Sequence, residues 1–407
     1  MAFFEKFIYK EERPDLKRPW IRPVSILTGL LTSCVLAGIV SMFGSYDVFN
    51  SLCAYFQSSP ERKIFFYVFV FFTAFGIIYR AYYAVAGIIH HDKKTGLHLD
   101  DRYVTFCIGS NIVVNLTMVV VFVLTGTILW MFGFNFIGAL GQVFDFNYIF
   151  KKVNLLIDKT PTLFHFNYFV TLILAYIIPS LANYTWHRIS HQSRLLWLLA
   201  HRNHHTSTTL SAATAFEADP KFPLGQIWNM IIRIIIPGLI SKLFYDKVLF
   251  VELAFCQMLW GMMEIHNHTS AYYEDMRTSK FFWPLMVITG SGPYHIVHHS
   301  ADPKHTKANL GLGCFLIWDR LFGTYVHPPM KLPKLGLTNQ PEIYLNPVNY
   351  TFSGLLQILY ELKHNAGLSM KFKILFGNIY FLPPKTKSYM LKDENTYYQM
   401  GAKVAEV

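Results

Sequence analysis

Long apolar runs separated by short polar segments dominate the first half of the chain. A helix needs about twenty apolar residues to cross the roughly 30 Å hydrocarbon layer of a bilayer. Four runs reach that length, and the second carries a single charge, Arg80, near one end. The pattern therefore predicts four transmembrane helices: Val24–Gly44, Ile64–Ile89, Val104 to about Phe134, and Asn167–Trp186.

Two later apolar stretches, Gln226–Ile240 and Val248–Ile265, are each short for an independent crossing. The segment PGLISKLFYDK separates them, and Arg233 lies inside the first. A charged side chain within the bilayer is costly. We therefore expect a helical hairpin that dips into the membrane and returns to the same side.

The composition agrees with a membrane protein, since 53% of the 407 residues are hydrophobic and only 15% are charged. Soluble proteins have roughly 25% charged residues. The net charge of +11 lies in the segments between the apolar runs, where basic residues usually mark the cytoplasmic side and an anionic lipid surface. These residues form no compact stripe with interleaved aromatic residues, so nucleic acid is not an expected partner. The five cysteines are scattered and form no disulfide or metal motif.

The N-terminus is expected in the cytoplasm. Four spans, followed by a hairpin that returns to the same side, then place every histidine-rich segment on the cytoplasmic side. Most basic residues fall there too, although Lys151 and Lys152 fall on the opposite side. The leader before Val24 lacks a small-residue cleavage site, so the first span is expected to be retained. The predicted fold is an all-α membrane protein with about four transmembrane helices, a membrane-dipping helical hairpin and a cytoplasmic helical cap. Its predicted regions are the N-terminal spans (1–166), a histidine-bearing region (167–328) and a basic cytoplasmic C-terminal cap (329–407).

Histidine spacing supplies the candidate chemistry. Trp186–His205 holds five histidines, directly after the fourth predicted span. The histidines form three short motifs, here called boxes. On a helix, residues three or four apart share a face, so each box can direct its side chains to a common centre. The boxes are H-x-x-x-H at His187 and His191, H-x-x-H-H at His201, His204 and His205, and H-x-x-H-H at His295, His298 and His299.

Eight such histidines exceed what one tetrahedral ion can bind, so they predict two metal ions. Two neighbouring ions could activate dioxygen, which requires a redox-active metal such as iron. His266 is a ninth candidate ligand, whereas His268, two residues later, would point elsewhere on a helix. Four carboxylates could orient ligands, with capping or surface charge as the alternative: Glu217, Asp219, Glu264 and Asp302.

The other histidines lack such spacing and favour interface or structural roles: His90, His91, His98, His165, His305, His327 and His364. Trp318 and Asp319, in IWDRLFGTY, are interpreted as a helix-ending structural element. The aromatic ring would anchor at the interface, and Asp319 or Arg320 would bond backbone groups at the helix end.

The boxes HRISH, HRNHH, IHNH and HIVHH, followed by NLG and WDRLFGTY, resemble the fatty acid hydroxylase superfamily, which includes sterol desaturases and alkylglycerol monooxygenases. The resemblance covers residues 167–328, which it makes the catalytic region. It implies two non-haem irons on the cytoplasmic face of a helical membrane bundle, and hydroxylation or desaturation of a lipid with dioxygen. The ligands it implies are His187, His191, His201, His204, His205, His266, His295, His298 and His299.

Some members have another histidine four residues before the position of His266, where this chain has Met262; His268 could compensate for it. No haem-binding segment or dinucleotide fingerprint is present. The resemblance therefore implies a separate electron donor, either a b-type cytochrome with its NAD(P)H reductase or a reduced pterin.

Sterol, fatty acyl and alkylglycerol substrates all suit the sequence. The expected location is a multi-pass integral membrane position, in the endoplasmic reticulum of a eukaryote or the inner membrane of a bacterium. Two other functions stay open: a catalytically inactive member that binds lipids or acts as a scaffold, and a histidine-based metal transporter. A transporter would have its ligands at the bilayer midplane, whereas these boxes follow the ends of apolar runs.

Overall fold

The computed structural model describes residues 46–96, 159–211, 236–311, 316–337 and 347–387, and the single positions 124, 127, 131 and 155. These residues are mostly helical, with two isolated β-bridges that pair Ser193 with Asn378 and Ser300 with Leu335. The α-helices are α1 Tyr46–Gln57, α2 Pro60–Ile89, α3 His91–Thr95, α4 Tyr168–Ser190, α5 Arg194–Leu196, α6 Ile236–Phe244, α7 Phe250–Met263, α8 Tyr273–Thr278, α9 Phe282–Thr289, α10 Pro293–His298, α11 Ile317–Phe322, α12 Pro347–His364 and α13 Leu368–Phe376. The other helical turns are the π-turn Trp197–His201 and the 3-10 turns Asn203–His205, Glu264–His268, Ser270–Tyr272 and Pro303–His305.

Helices α2 and α4 are long and apolar enough to cross a membrane. They contain 30 and 23 residues, which correspond to about 45 and 35 Å at 1.5 Å per residue. Large apolar side chains such as Phe71, Ile78 and Ile173 are exposed on them. The two helices match the predicted second and fourth spans. The predicted first span, and all but three single positions of the third, lie outside the described residues.

The ends of α4 explain how the membrane helix carries the first box. Asn167 caps its start, because its side-chain oxygen accepts a hydrogen bond from the amide of Val170 at 2.9 Å. The helix then continues to Ser190. His187 therefore lies in its last turn and His191 at its C-cap, as the sequence predicts.

Helices α6 and α7 pack against α4 and α2 respectively. Helix α6 includes most of the segment that the sequence placed between two apolar stretches, so the break falls later than expected, at 245–249. The Ser241 hydroxyl accepts a hydrogen bond from the amide of Leu249 at 3.3 Å and donates one to the carbonyl of Gly238 at 2.8 Å. These bonds close the turn. The dipping hairpin stays a prediction, because most of its first arm, 226–235, lies outside the described residues.

Glu252 in α7 is fully buried and joins four helices. Its carboxylate accepts hydrogen bonds from the hydroxyls of Tyr55 in α1 (2.9 and 3.0 Å) and Tyr168 in α4 (3.1 Å). It also pairs with Arg62 in α2 at 3.2 Å. A buried carboxylate is costly unless its oxygens have such partners. The cluster therefore holds the bundle together at the end of α4 that is remote from the histidines.

The described part of the C-terminal region, 347–387, packs on the second histidine box. Its apolar contacts join Trp197 and Leu198 to Tyr350, Ile358 and Ile379. Gly354 is required at the contact, because a Cβ there would lie 1.8 Å from the carbonyl oxygen of Leu198. The region is therefore an integral part of the histidine-bearing fold.

Buried polar groups strengthen the same contact. Arg194 donates to Glu361 at 2.7 Å, and Arg202 donates to Gln357 at 2.7 Å and to Ser353 at 3.1 Å. Both arginines are only 1% exposed. Their partners lie more than 150 positions away along the chain, so local sequence could not predict their burial.

Candidate metal centre

The histidine boxes converge at the end of α4 in two compact groups. The first group consists of His187, His191, His201, His205 and His298, and the second of His204, His268, His295 and His299. Within each group, one ring nitrogen from every histidine lies within 4.8 Å of the others. The structure therefore brings together nine of the ten predicted ligands, with His266 outside both groups.

Each H-x-x-H-H box is divided between the two groups. The i, i+4 pairs stay together, His201 with His205 in the first group and His295 with His299 in the second. The histidine at i+3 joins the other group. The expectation that one box serves one centre is therefore corrected. In the box His295–His299, which an α-helix carries as far as His298, a residue at i+3 is rotated about 60° short of a full turn and one at i+4 about 40° beyond it, so their rings diverge to opposite sides.

A π-turn shapes the second box. Between Trp197 and His201, the amide of Arg202 donates to the carbonyl of Trp197 at 2.7 Å, a spacing of five residues instead of four. The 3-10 turn Asn203–His205 follows directly. Such departures from regular α-helix often occur at functional sites, and here they set the directions of His201, His204 and His205.

Nitrogen separations in the first group suit metal coordination. The Nε2 atoms of His187 and His205 lie 3.0 and 3.1 Å from Nε2 of His201. Two nitrogens bound at right angles to one first-row ion, each about 2.1 Å away, would be separated by about 3.0 Å. The first group therefore fits an ion without a large rearrangement.

The second group shows the same spacing. Nε2 of His295 lies 3.1 Å from Nε2 of His268 and 3.0 Å from Nε2 of His299. The rings of His204 and His299 meet with centroids 4.5 Å apart. His205 and His299 bring the two groups into contact, since their centroids are also 4.5 Å apart.

Backbone carbonyls orient two ligands of the first group. Nδ1 of His187 lies 2.8 Å from the carbonyl of Leu310, and Nδ1 of His298 lies 2.9 Å from that of Ala308. The carbonyl can only accept, so Nδ1 must carry the proton and Nε2 presents its lone pair to the group. Nε2 of His298 and both ring nitrogens of His191 are buried without a hydrogen-bond partner. Such nitrogens are costly in a protein interior unless they bind something, which supports a bound metal.

Six of these histidines have pKa values well below the ordinary value of 6.5. Burial is the main cause, and the neighbouring imidazoles lower the values further because two nearby positive charges repel. The affected residues are His191, His201, His205, His295, His298 and His299. They therefore stay neutral near pH 7, and neutral imidazole is the form that binds metals.

His266 and His268, both candidate ligands, lie in different surroundings. Both lie in the 3-10 turn Glu264–His268, where residues two apart point in different directions, as expected. His268 enters the second group, whereas the ring of His266 packs edge-on against Tyr79 with centroids 5.8 Å apart. A hypothetical Cβ on Gly292 would lie 3.2 Å from the His266 ring. A ligand role for His266 stays a prediction.

Of the four predicted orienting carboxylates, only that of Asp302 lies in the described part of the chain, and it belongs to neither histidine group. Asp302 caps the 3-10 turn Pro303–His305 by accepting from the amide of Lys304 at 2.9 Å, and its side chain is exposed. Glu217, Asp219 and the side chain of Glu264 lie outside the described residues. Capping, the alternative weighed for Asp302, is therefore what the structure shows.

Asp319 has a larger role than the helix-ending one predicted from the sequence. Its buried carboxylate accepts from the amides of Leu310 and Gly311 at 2.7 and 2.8 Å, and from the Thr324 hydroxyl at 2.7 Å. Gly311 is needed there, because a Cβ would lie 2.4 Å from the Asp319 carboxylate. Asp319 thus fixes the segment whose carbonyls orient His187 and His298. The WDRLFGTY motif contained this signal, but its target lies eight and nine residues earlier.

Asn309 fixes the same segment from the other side. Its φ of 51° is left-handed, a conformation that asparagine adopts more readily than most residues. Its side chain donates to the carbonyls of Tyr294 and Val326 and accepts from the amide of Val326, at 2.9 to 3.1 Å. Asn309 and Asp319 together hold the orienting carbonyls against the fold.

The other described histidines lie outside the two groups. His91 is fully buried beside Thr95 and Asp92, and His327 contacts Arg277. His364 is exposed and stacks on Tyr360. None of these three belongs to either histidine group, and their structural roles stay a prediction.

A narrow opening borders the first group. It has a volume of about 10 Å³, which is room for about one water molecule. Its lining includes His191, His205 and His298 of the first group, together with Ser300 and Thr306. The first group therefore has space beside it for about one small molecule.

Comparisons with known proteins agree with this geometry. Residues 172–324 match the family model described as fatty acid hydroxylase. The chain is 24% identical over 203 residues to an alkylglycerol monooxygenase of Xenopus tropicalis, 25% over 196 residues to one of Homo sapiens and 26% over 167 residues to one of Danio rerio. These matches cover 47%, 47% and 41% of this chain, but only 38%, 38% and 32% of the relatives. The chain therefore spans well under half the length of these curated relatives. No solved structure matches the chain significantly.

Proposed function

Because the chain belongs to the fatty acid hydroxylase superfamily, we propose that it is a membrane-bound lipid oxygenase with one iron ion in each histidine group. The reaction is hydroxylation or desaturation of an unactivated carbon, with dioxygen as the oxidant. The substrate is a lipid with a long alkyl chain or a sterol ring. One observation carries the proposal: nine imidazoles converge in two touching groups at the end of an apolar helix.

The donor set favours iron over zinc for this chemistry. Imidazole binds iron, zinc, copper and nickel, but zinc has no redox change with which to activate dioxygen. Iron would supply the oxidising chemistry, and two external electrons and two protons would be consumed in either reaction. In hydroxylation, one oxygen atom of dioxygen would enter the lipid and the other would leave as water. In desaturation, the lipid would lose two hydrogen atoms and both oxygen atoms would leave as water. The histidine groups are candidate iron sites on this basis.

The chain's own residues prepare the site in two ways. The carbonyls of Leu310 and Ala308 hold the His187 and His298 rings in one orientation, which limits the rearrangement needed when a metal binds. Burial of His191, His205 and His299 limits the entry of bulk water, which would otherwise compete with the lipid.

The substrate would enter sideways from the bilayer. The outward faces of α2 and α4 carry exposed apolar residues, and α4 leads directly to His187. A lipid that lies along such a helix would bring its chain close to the histidine groups. The relatives named alkylglycerol monooxygenase make alkylglycerols the first substrates to test, followed by fatty acyl lipids and sterols.

Electrons would come from a separate donor protein or from a reduced pterin. A b-type cytochrome with its NAD(P)H reductase is the first donor to test, and a reduced pterin the second. The proposed location is a multi-pass membrane position with the histidine groups facing the cytoplasm, in the endoplasmic reticulum of a eukaryote or the inner membrane of a bacterium.

Membranes that contain the protein would test this proposal when supplied with alkylglycerol, fatty acyl lipid or sterol and with each donor in turn. We expect one pairing to yield an oxidised or desaturated lipid. His187→Ala should abolish the product, whereas His364→Ala, at an exposed histidine outside the groups, should retain it. Equal product from the His187→Ala variant would refute the proposal. Bound iron without product in any pairing would instead favour an inactive, lipid-binding member of the family.

A further inference from the structure

Helix α13, Leu368–Phe376, exposes an apolar stripe in a region outside the fatty acid hydroxylase match. Leu368, Phe372 and Phe376 are 86%, 62% and 57% exposed. They occur at i, i+4 and i+8 and therefore lie along one face. Phe372 and Phe376 also contact each other, with ring centroids 5.1 Å apart. Isolated apolar residues on a surface are ordinary, but a continuous stripe usually marks an interaction site.

Two lysines flank this stripe. At about 100° per residue, Lys371 and Lys373 fall on opposite sides of Phe372, and both are exposed. Ile374, on the far side of the helix, is fully buried. The helix therefore has a buried inner face and an outer face with an apolar centre and basic edges. This distribution is typical of a helix that lies in the plane of a membrane surface.

The position of α13 in the fold agrees with such a surface. The carbonyl of Gly377, at its C-cap, accepts from the amide of Arg194 at 3.0 Å, and Asn378 bridges to Ser193. Ser193 and Arg194 lie just beyond Ser190, the last residue of α4. The placement of α13 relative to the bilayer rests on the proposed membrane position of the protein. A spanning α4, which is about as long as the hydrocarbon layer is thick, would place its end at the bilayer surface, and the end of α13 with it.

We propose that α13 lies on the bilayer surface at the histidine end of α4, with Leu368, Phe372 and Phe376 in the lipid. Lys371 and Lys373 face anionic headgroups on either side, because long basic side chains extend from a buried stem to the polar layer. The Arg194–Glu361 ion pair then links this surface helix, through α12, to the turn that carries His201. The C-terminal region would thereby hold the histidine groups at a fixed height above the bilayer.

Spin labelling would test this proposal in the full chain, purified and reconstituted alone into vesicles of phosphatidylcholine and phosphatidylserine. Single cysteines at positions 368, 371, 372, 373 and 376 would be introduced after the five native cysteines are replaced. Nitroxide collisions with oxygen, which concentrates in lipid, are then compared with collisions with a water-soluble nickel chelate. We expect the oxygen-to-nickel ratio to be several-fold higher at 368, 372 and 376 than at 371 and 373.

The opposite pattern would overturn the proposal. If nickel reaches positions 368, 372 and 376 as readily as 371 and 373, the stripe faces water in the reconstituted protein, and a protein partner becomes the better explanation. If the cysteine-free background fails to fold, benzoylphenylalanine can replace Phe372 in the otherwise unchanged chain. Irradiation should then crosslink it to phospholipid, whereas the same group at Lys373 should crosslink several-fold less. Equal crosslinking at the two positions, or none at either, would contradict the proposal.

Discussion

The two histidine groups differ in how firmly the fold holds them. In the first group, backbone carbonyls orient His187 and His298. In the second, Nδ1 of His295 and of His299 is buried without a hydrogen-bond partner, and His204 and His268 are only partly buried. The first group is thus the more preorganised and the second the more open. Two sites built from the same repeated box can therefore differ because different segments surround them.

Adjacent histidines give the sharpest test of this division, because His298 and His299 belong to different groups. We expect His298→Ala and His299→Ala each to abolish lipid oxidation and to retain about one iron per chain, since each variant leaves the other group with its own ligands. Mössbauer spectra of iron-57 protein should show a different remaining iron in each variant. His364→Ala is the control and should keep both irons. Identical spectra from the two variants would contradict the division.

Asp319→Asn should weaken the first group selectively. The new amide would place a donor against the amide of Leu310 or Gly311, so the segment that orients His187 and His298 would shift. Loss of such an indirect contact typically lowers metal affinity by about 10- to 100-fold. Competition with a chelator should therefore remove one iron more readily than in the parent protein and leave the other unchanged.

Asp302→Asn is the matched control for this substitution, because Asp302 caps an exposed turn and asparagine can also cap. It should leave both irons as tightly bound as in the parent. If Asp319→Asn released both irons equally, the carboxylate would support the whole fold and not the first group in particular.

The metal-free protein should lose stability in acid. The pKa values of six ligand histidines are lowered by burial to well below 6.5, so the unfolded chain binds protons more readily than the folded one. The stability they contribute is therefore fully present above about pH 6.5 and is lost as the pH falls towards the folded-state values. Thermal unfolding of the metal-free protein should move to lower temperature between about pH 7 and pH 5. An unchanged midpoint would show that these rings are not buried in a neutral state.

Gln357→Leu should have the smallest effect and should act on both groups alike. It removes a partner of the buried Arg202, which lies in the box that supplies both groups. Loss of one hydrogen bond to a buried charged group costs about 1 to 3 kcal/mol, measurable as a lower free energy of unfolding. Iron should remain at both sites, with chelator release slightly faster at each. Selective loss of one iron would contradict the shared role of this box.

The sequence predicted features set by local spacing and missed those set by distant contacts. The continuation of a membrane helix into His187 and His191 follows from an apolar run that reaches the first box, and α4 confirms it. The division of each H-x-x-H-H box between two groups depends on helix rotation together with the π-turn at Trp197–His201. Periodicity alone does not reveal such a turn.

Long-range partners account for the other differences. The sequence predicts only which side of the membrane Arg194 and Arg202 lie on. Their burial depends on Glu361 and Gln357, far along the chain, which accept hydrogen bonds from them in the interior. Which of His266 and His268 enters the second group depends on the direction of a 3-10 turn and on the position of Tyr79 in another helix. Neither feature is visible in the sequence. Likewise, Asp319 could be recognised as a support for the first group only when the folded chain placed it beside Leu310.

Iron content of the purified protein tests the central claim most directly. Elemental analysis of protein purified from iron-replete cells should find two irons per chain, and a chelator should remove them in two distinguishable steps, the second histidine group first because it is the more open. Zinc at comparable content, or no transition metal after reconstitution with ferrous iron, would contradict the claim that these imidazoles hold a pair of irons.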